Sequence, residues 1–289
     1  MSRNATVEKA GYADRYFSSG SLRLHYTEWN PEGSHPVIML HGLNVQAHTW
    51  DPIVPLLSSD MRIICPDLRG HGDSDWAREG YPVGGFVADL NNLADHLGFS
   101  KFSLVGHSLG ARVSIAYAGE HSSRLDCLAL SDTGPQMPKS AAQSTSRFIG
   151  DTNSIKGFRD REEVWEHYRK THPEWRPEFI DLHAEFQVRD NWAGKKILKS
   201  DPELYWITRG AGVREIPYLW EMAEAIDVPT LIMVGEHSEF FDDELLERMR
   251  EAIRRSEVAK FNTGHYIPRE QPEEFAARLT EFLEKNHQP

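Results

Sequence analysis

Five short apolar runs recur along the chain, at residues 36–40, 62–66, 102–105, 125–130 and 229–234. Their apolarity is continuous rather than alternating, which is the mark of strands buried on both faces of a parallel sheet. Residues 22–29 alternate instead, as an antiparallel edge strand does, and residues 258–261 read as a last short strand. Between the runs, apolar side chains fall at helical spacing. Phe86, Leu90, Leu93 and Leu97 share one face and are closed by Gly98. Leu245, Met249 and Ile253 form a second face, and Phe275, Leu279, Phe282 and Leu283 a third. Residues 111–118, directly behind the run at 102–105, open a further helix. Strands alternating with helices predict an α/β fold whose sheet is covered on both sides.

One stretch breaks this alternation. Residues 135–228 contain no convincing buried strand, only amphipathic helical pieces and five of the eight tryptophans, Trp165, Trp175, Trp192, Trp206 and Trp220. A helical insertion of that size between two sheet strands is expected to sit over the strands' C-terminal ends as a cap. The expected division is therefore a core of residues 1–134 and 229–289 with a cap of residues 135–228. The cap tryptophans suit an apolar or ring-bearing substrate, although tryptophan fills cores as readily as pockets.

Composition narrows the function. Among 289 residues, 32 basic and 44 acidic side chains leave a formal charge of −12, which speaks against phosphate-driven nucleic-acid binding. Hydrophobic residues at 39% and charged residues at 26% describe a globular chain. No run approaches the roughly 18 apolar residues of a membrane span, and residues 1–10 lack the apolar core of a secretory signal. A cytoplasmic location and a small-molecule partner are expected, and self-association stays open. Cys65 and Cys127, both in apolar runs, read as small buried hydrophobes. No His-Glu-x-x-His or paired Cys-x-x-Cys is present, and no Gly-x-Gly-x-x-Gly follows a strand. Neither a catalytic metal nor a dinucleotide cofactor is expected.

Gly106-His-Ser-Leu-Gly110 lies between the run at 102–105 and the helix at 111–118. So sharp a strand-to-helix turn strains the backbone, and the flanking glycines supply space, pushing the Ser108 hydroxyl out at the top of the sheet. A hydroxyl attacks only when a base removes its proton. Of 14 histidines, His265 has the suitable place, in the loop Asn262-Thr-Gly-His-Tyr266 after the last strand. His107 adjoins Ser108 and is expected to pack beneath the turn, and His41 to steady the loop after its strand. The remaining histidines read mostly as solvated side chains of surface helices.

His41-Gly-Leu43, Asp67-Leu-Arg-Gly-His-Gly-Asp-Ser74, Gly106-His-Ser-Leu-Gly110 and Gly264-His265, in that order, resemble the α/β-hydrolase superfamily across residues 15–286. The resemblance implies an eight-stranded, mostly parallel sheet flanked by helices, with a helical cap inserted after the sixth strand. It also implies an oxyanion hole made by the backbone N–H groups of Leu43 and Leu109, two fixed donors for a tetrahedral oxyanion. The family's acid usually follows the seventh strand in a Gly-x-x-Asp turn. Here that turn reads Gly235-Glu-His-Ser238. Asp132, at the end of the sixth strand in Leu130-Ser-Asp-Thr-Gly134, is the first candidate to replace the missing aspartate. Glu239 is the alternative, and Glu236 is expected to face away.

A serine with a late histidine predicts two-step acyl transfer, on a carboxylic ester first and an amide or lactone next. An aspartate in place of Ser108 would mark dehalogenases and epoxide hydrolases. Relatives that cleave carbon–carbon bonds show Gly-His-Trp where this chain has Gly264-His265-Tyr266, together with a cap arginine for which Arg209 and Arg214 are candidates. Relatives that cleave acylated amides from cofactor-breakdown intermediates take their acid after strand six, as Asp132 would be. A hydrolase-like small-molecule receptor shares the same serine and histidine, and multiple turnover separates it from an enzyme.

Overall fold

A computed structural model describes residues 11–138, 141, 157–207 and 212–287. Arg209 lies outside them. One eight-stranded sheet organises the chain: β1 (Tyr12–Ser19), β2 (Leu22–Trp29), β3 (His35–Leu40), β4 (Met61–Pro66), β5 (Phe102–His107), β6 (Leu125–Ser131), β9 (Thr230–Gly235) and β10 (Ser256–Phe261). Their order is β1-β2-β4-β3-β5-β6-β9-β10. Only β2 runs against the others, being antiparallel to both β1 and β4. The remaining pairs are parallel.

The continuous apolar runs have a simple cause. Successive strand residues point to opposite faces, and here both faces are covered. Ile38, Leu40, Leu104, Leu128, Leu130 and Ile232 join the core on the side of α1 (Val83–His96) and α2 (Leu109–His121). Their neighbours Val37, Met39, Val105, Cys127, Ala129 and Leu231 join the core on the other side, under Phe275, Leu279, Phe282 and Leu283. Cys65 and Cys127 are both buried and unpaired. β1 escaped the hydrophobic pattern because only part of it is buried, at the sheet's edge.

Between β6 and β9 the described residues form α3 (Arg161–Thr171), α4 (Pro177–Phe186), the hairpin β7 (Val188–Asp190) and β8 (Lys196–Leu198), and α5 (Ile216–Ala225). The hairpin is a difference from the all-helical expectation. Its strands are three residues each, too short for an apolar period to show. Leu219, Trp220 and Ala223 of α5 belong to the core cluster that also holds α2. The stretch before α5 rests on loops at the C-terminal ends of β3 and β4. Gln187 Nε2 donates to Asn44 O (2.9 Å), Asp201 N–H to Gly70 O (2.8 Å), and Lys199 Nζ pairs with Asp73 (2.8 Å). The tryptophans of this stretch divide. Trp175 and Trp220 are buried, whereas Trp192 is 98% and Trp206 57% exposed. After β9 come α6 (Asp243–Ala252) and, after β10, α7 (Pro272–Asn286), the helices that the periodicity predicts. Among the described residues no helix is long and apolar enough to cross a membrane.

Candidate active site

Strand order reverses around β3 and β5, and in open α/β sheets the crevice at the strands' C-terminal ends is where ligands bind. Ser108 stands there, between β5 and α2, with φ 54° and ψ −116°. A serine in that region is strained. It is held by Ser108 N–H donating to Ser131 O (3.2 Å) and by Ala111 and Arg112 N–H donating back to Ser108 O (3.0 and 3.2 Å). The glycines on either side permit the turn. A Cβ on Gly106 would stand 2.5 Å from Gly110 O and Ser114 Oγ, and one on Gly110 would collide with the Leu40 and His41 carbonyls. The Ser108 side chain is half-buried.

His107 and Ser131 are the last register pair between β5 and β6, so Ser108 and Asp132 follow at adjacent strand tips. Asp132 is fully buried and, like Ser108, has φ 54°. Its Oδ1 accepts from Gly235 N–H (2.8 Å) and its Oδ2 from the Ser238 hydroxyl and from His265 Nδ1 (2.8 Å). Buried charge needs such donors to offset lost hydration. The serine standing where the family's aspartate is usual therefore serves the aspartate one strand away. Glu239 and Glu236 are exposed, and among the described residues neither bonds to His265.

His265 is gripped on several sides. Its ring stacks on Phe240 (3.7 Å between centroids, 12° between planes) and lies 4.9 Å from His107. Glu270 clamps the backbone around it, accepting from Gly264 N–H (2.9 Å) and Tyr266 N–H (3.3 Å). Ser108 and Asp132 thus stand at adjacent strand tips, and His265 reaches Asp132 from the loop after β10.

Gly42, just before Leu43, lies close to Ser108, a Cβ on it standing 3.1 Å from the Ser108 Cβ, and Leu109 follows Ser108 in the chain. Among the described residues neither the Leu43 nor the Leu109 N–H has a backbone carbonyl partner, so both stay free to donate. The Leu43 loop is fixed from beneath by His41. Its Nδ1 bonds Gly42 O (2.7 Å), so Nδ1 carries the proton, and Nε2 accepts from Leu68 N–H (3.0 Å). Burial lowers the His41 pKa and keeps the ring neutral. A buried hub at Asp67 ties the neighbouring loops: it accepts from Ala47 N–H (2.6 Å), Asp73 N–H (2.8 Å) and His25 Nδ1 (2.8 Å). Burial opposes charge on both partners, yet mutual attraction prevails. His25, held also by Asp14, rises to about 9, and Asp67 falls below the ordinary carboxylate range.

The histidines correct one expectation. His25, His35, His48, His71, His172 and His183 are buried rather than solvated, as are His41 and His107, which were not expected to face solvent. His107 is drawn well below the usual imidazole value, by burial first and by the nearby His265 second. Such burial was not visible because these histidines are held by loops and aromatic neighbours, which leave no periodic trace. Ser238, Phe240 and Glu270 also escaped the sequence reading, although the serine at an aspartate's place was a usable signal.

One group of side chains among the described residues brings metal-ligating atoms together: His35, Asp126 and His287, within 4.8 Å of one another. It stands at the opposite end of the sheet, at the starts of β3 and β6. The rings of His35 and His287 stack face to face at 3.9 Å, so their in-plane lone pairs do not converge, and Lys101 Nζ already pairs with Asp126 (3.3 Å).

A model of the alpha/beta hydrolase fold matches residues 35–272. The chain is 27% identical over 275 residues to a 3-hydroxybutyrate-oligomer hydrolase of Cupriavidus necator, covering 89% of this chain and 92% of that protein. It is 29% identical to a putative 2-succinyl-6-hydroxy-2,4-cyclohexadiene-1-carboxylate synthase of Bacillus subtilis, covering 92% and 96%. Among solved structures, E-2-(acetamidomethylene)succinate hydrolase superposes with a TM-score of 0.84 at 23% identity, covering 94% of this chain and 99% of that one.

Proposed function

The chain belongs to the α/β-hydrolase family, and on that premise we propose that it is a serine hydrolase working by acyl transfer on a small carboxylic ester. The observation that carries this reading is the 2.8 Å bond from His265 Nδ1 to buried Asp132, one strand tip away from a strained Ser108. In the reaction, Ser108 Oγ attacks the substrate carbonyl while His265 Nε2 takes its proton. Asp132 accepts the Nδ1–H, which fixes the tautomer and stabilises the imidazolium. The N–H groups of Leu43 and Leu109 receive the oxyanion, where one such donor is worth roughly 3 kcal/mol. The same imidazolium returns its proton to the leaving alcohol, and a water activated by His265 then releases the acid and frees Ser108.

Asp132 does not act as a base. With its charge satisfied by Gly235 N–H and Ser238, it serves as a fixed partner for the ring. In this reading α3 and α4, within the expected cap of residues 135–228, lie over this site, which takes a small molecule as its partner. An amide substrate is the second reading. The acid's place after β6 favours it, being shared with relatives that cleave acylated amides. The hydrolase that superposes on this chain bears the name of an acetamido compound.

Steady-state hydrolysis of p-nitrophenyl esters tests the proposal. Multiple turnover by the wild type is expected, with Ser108→Ala retaining its fold and losing at least 1,000-fold in kcat, on the order of other triad serines. Stoichiometric binding without accumulating product would instead identify a receptor. A parallel panel of anilides decides between ester and amide.

A further inference from the structure

Four residues beyond His265, on the short helix Ile267–Glu270, Arg269 is only 3% exposed. Its charge has no carboxylate within ion-pair distance among the described residues. Glu270, next in sequence, uses both oxygens on the Gly264 and Tyr266 amides. Glu174 is exposed and bonds to His172 Nδ1 (3.2 Å). A buried guanidinium without an anion is expensive, and proteins rarely keep one without a use for it. Burial draws its pKa down to about 10.

Two aromatic rings lie against the guanidinium. Its Cζ lies 4.2 Å from the Trp175 ring and 4.8 Å from the Tyr266 ring. The in-plane N–H edge of a guanidinium is the one that recognises a carboxylate. On that edge Nη2 donates to Thr49 Oγ1 (3.1 Å), while Nη1 is buried without a partner among the described residues. Two further polar atoms of the same cluster are also unmet, Trp175 Nε1 and His183 Nε2. The His183 ring lies 4.9 Å from Trp175. His183 Nδ1 bonds Phe179 O (2.9 Å) and so keeps the proton, which leaves Nε2 an acceptor. The cluster thus presents one charged donor, one neutral donor and one acceptor. A water molecule leaves the charge uncompensated, whereas a carboxylate meets the charge and both donors, His183 Nε2 being an acceptor that it does not bond.

The cluster adjoins the reacting groups. The Tyr266 ring, against which the guanidinium stacks, is 5.2 Å from the His265 ring and 6.2 Å from His107. Trp175 and His183 belong to the stretch between β6 and β9, so the subsite lies between that stretch and the histidine loop. We infer that Arg269 anchors a carboxylate of the substrate through its unpartnered Nη1, with Trp175 Nε1 as second donor. The substrate class is then an ester or amide that also bears a free carboxylate, such as a half-ester of a dicarboxylic acid. This rests on the serine-hydrolase reading and adds the substrate's charge to it. With the chain at −12, the anion gains nothing from long-range attraction, so selectivity is local.

Paired substrates of equal length test it: p-nitrophenyl valerate and mono-p-nitrophenyl glutarate. The wild type is expected to favour the half-ester in kcat/KM. Arg269→Met is expected to lower that preference roughly 10- to 100-fold, chiefly through KM, and Arg269→Lys to restore part of it. A wild type without the preference, or a preference that survives Arg269→Met, overturns the inference while leaving the hydrolase reading intact. Should Arg269→Met fail to fold, the wild type decides alone: glutarate must compete with the neutral ester where glutaramide does not, and equal effects overturn the subsite. Absence of any ester or amide turnover defeats the hydrolase reading instead. In that case a rise in wild-type melting temperature with glutarate but not glutaramide supports the subsite, and no such rise overturns it.

Discussion

At the scale of single residues, the chemistry depends on who holds whom. His265 is useful only with its proton on Nδ1, and the acceptor that imposes this is Asp132, not either glutamate of the β9 loop. Replacing Asp132 by Asn puts an NH2 group either against Gly235 N–H or against the Ser238 and His265 donors. Ester kcat should fall by roughly 10³- to 10⁴-fold, as expected when a triad histidine takes the wrong tautomer. Glu239→Gln should stay near wild type in the same assay, and the opposite ranking would move the acid to Glu239. Ser238→Ala removes one hydrogen bond to a buried carboxylate. It should cost about 1–3 kcal/mol of stability by chemical denaturation, together with a smaller kcat loss than Asp132→Asn. Ser108, His265 and Asp132 could be read from sequence because each sits at a motif or just past an apolar run. Phe240, Glu270 and Arg269 could not. Their partners are remote in sequence or set by loop conformation, and neither leaves a period.

At the scale of elements, the β5–α2 turn concentrates the fold's demands. Ser108 adopts φ 54° only because Gly106 and Gly110 let α2 start almost in contact with the carbonyls of the neighbouring strand. Gly106→Ala places a methyl 2.5 Å from a backbone oxygen and from Ser114 Oγ. The expected cost is about 2–4 kcal/mol, read as a fall in melting temperature. Activity should decline further than the folded fraction does, because the turn itself must shift. An unchanged melting temperature would show that the turn has slack. The central strands were readable from sequence because burial on both faces makes their runs continuous. The edge strand β1 and the β7–β8 hairpin were not, since half-exposed or three-residue strands carry no such signal.

At the scale of the whole molecule, buried histidines set how stability responds to pH. His35 and His71 are lowered by burial, to about 4 and about 3. The unfolded chain takes up their protons below about pH 6.5 while the folded one does not, so stability falls on the acid side. Each contributes up to about 1.4 kcal/mol per pH unit. His25 acts in the opposite sense. Raised to about 9 beside Asp67, it stabilises fully below about pH 6.5 and loses that contribution as pH rises through 9. Denaturant titrations at pH 5, 7 and 9.5 should show the greatest stability near neutrality, and His25→Gln should flatten the alkaline limb. A wild-type alkaline limb that persists unchanged in that variant would remove His25 from the account. The molecule's central claim is nevertheless a covalent one: a single serine, at the tip of β5, carries the acyl group. Intact-mass analysis after treatment with a fluorophosphonate tests it most directly. One adduct per chain is predicted, mapped to the peptide containing Ser108 and absent from Ser108→Ala. An adduct on another residue, or equal labelling of Ser108→Ala, would contradict it.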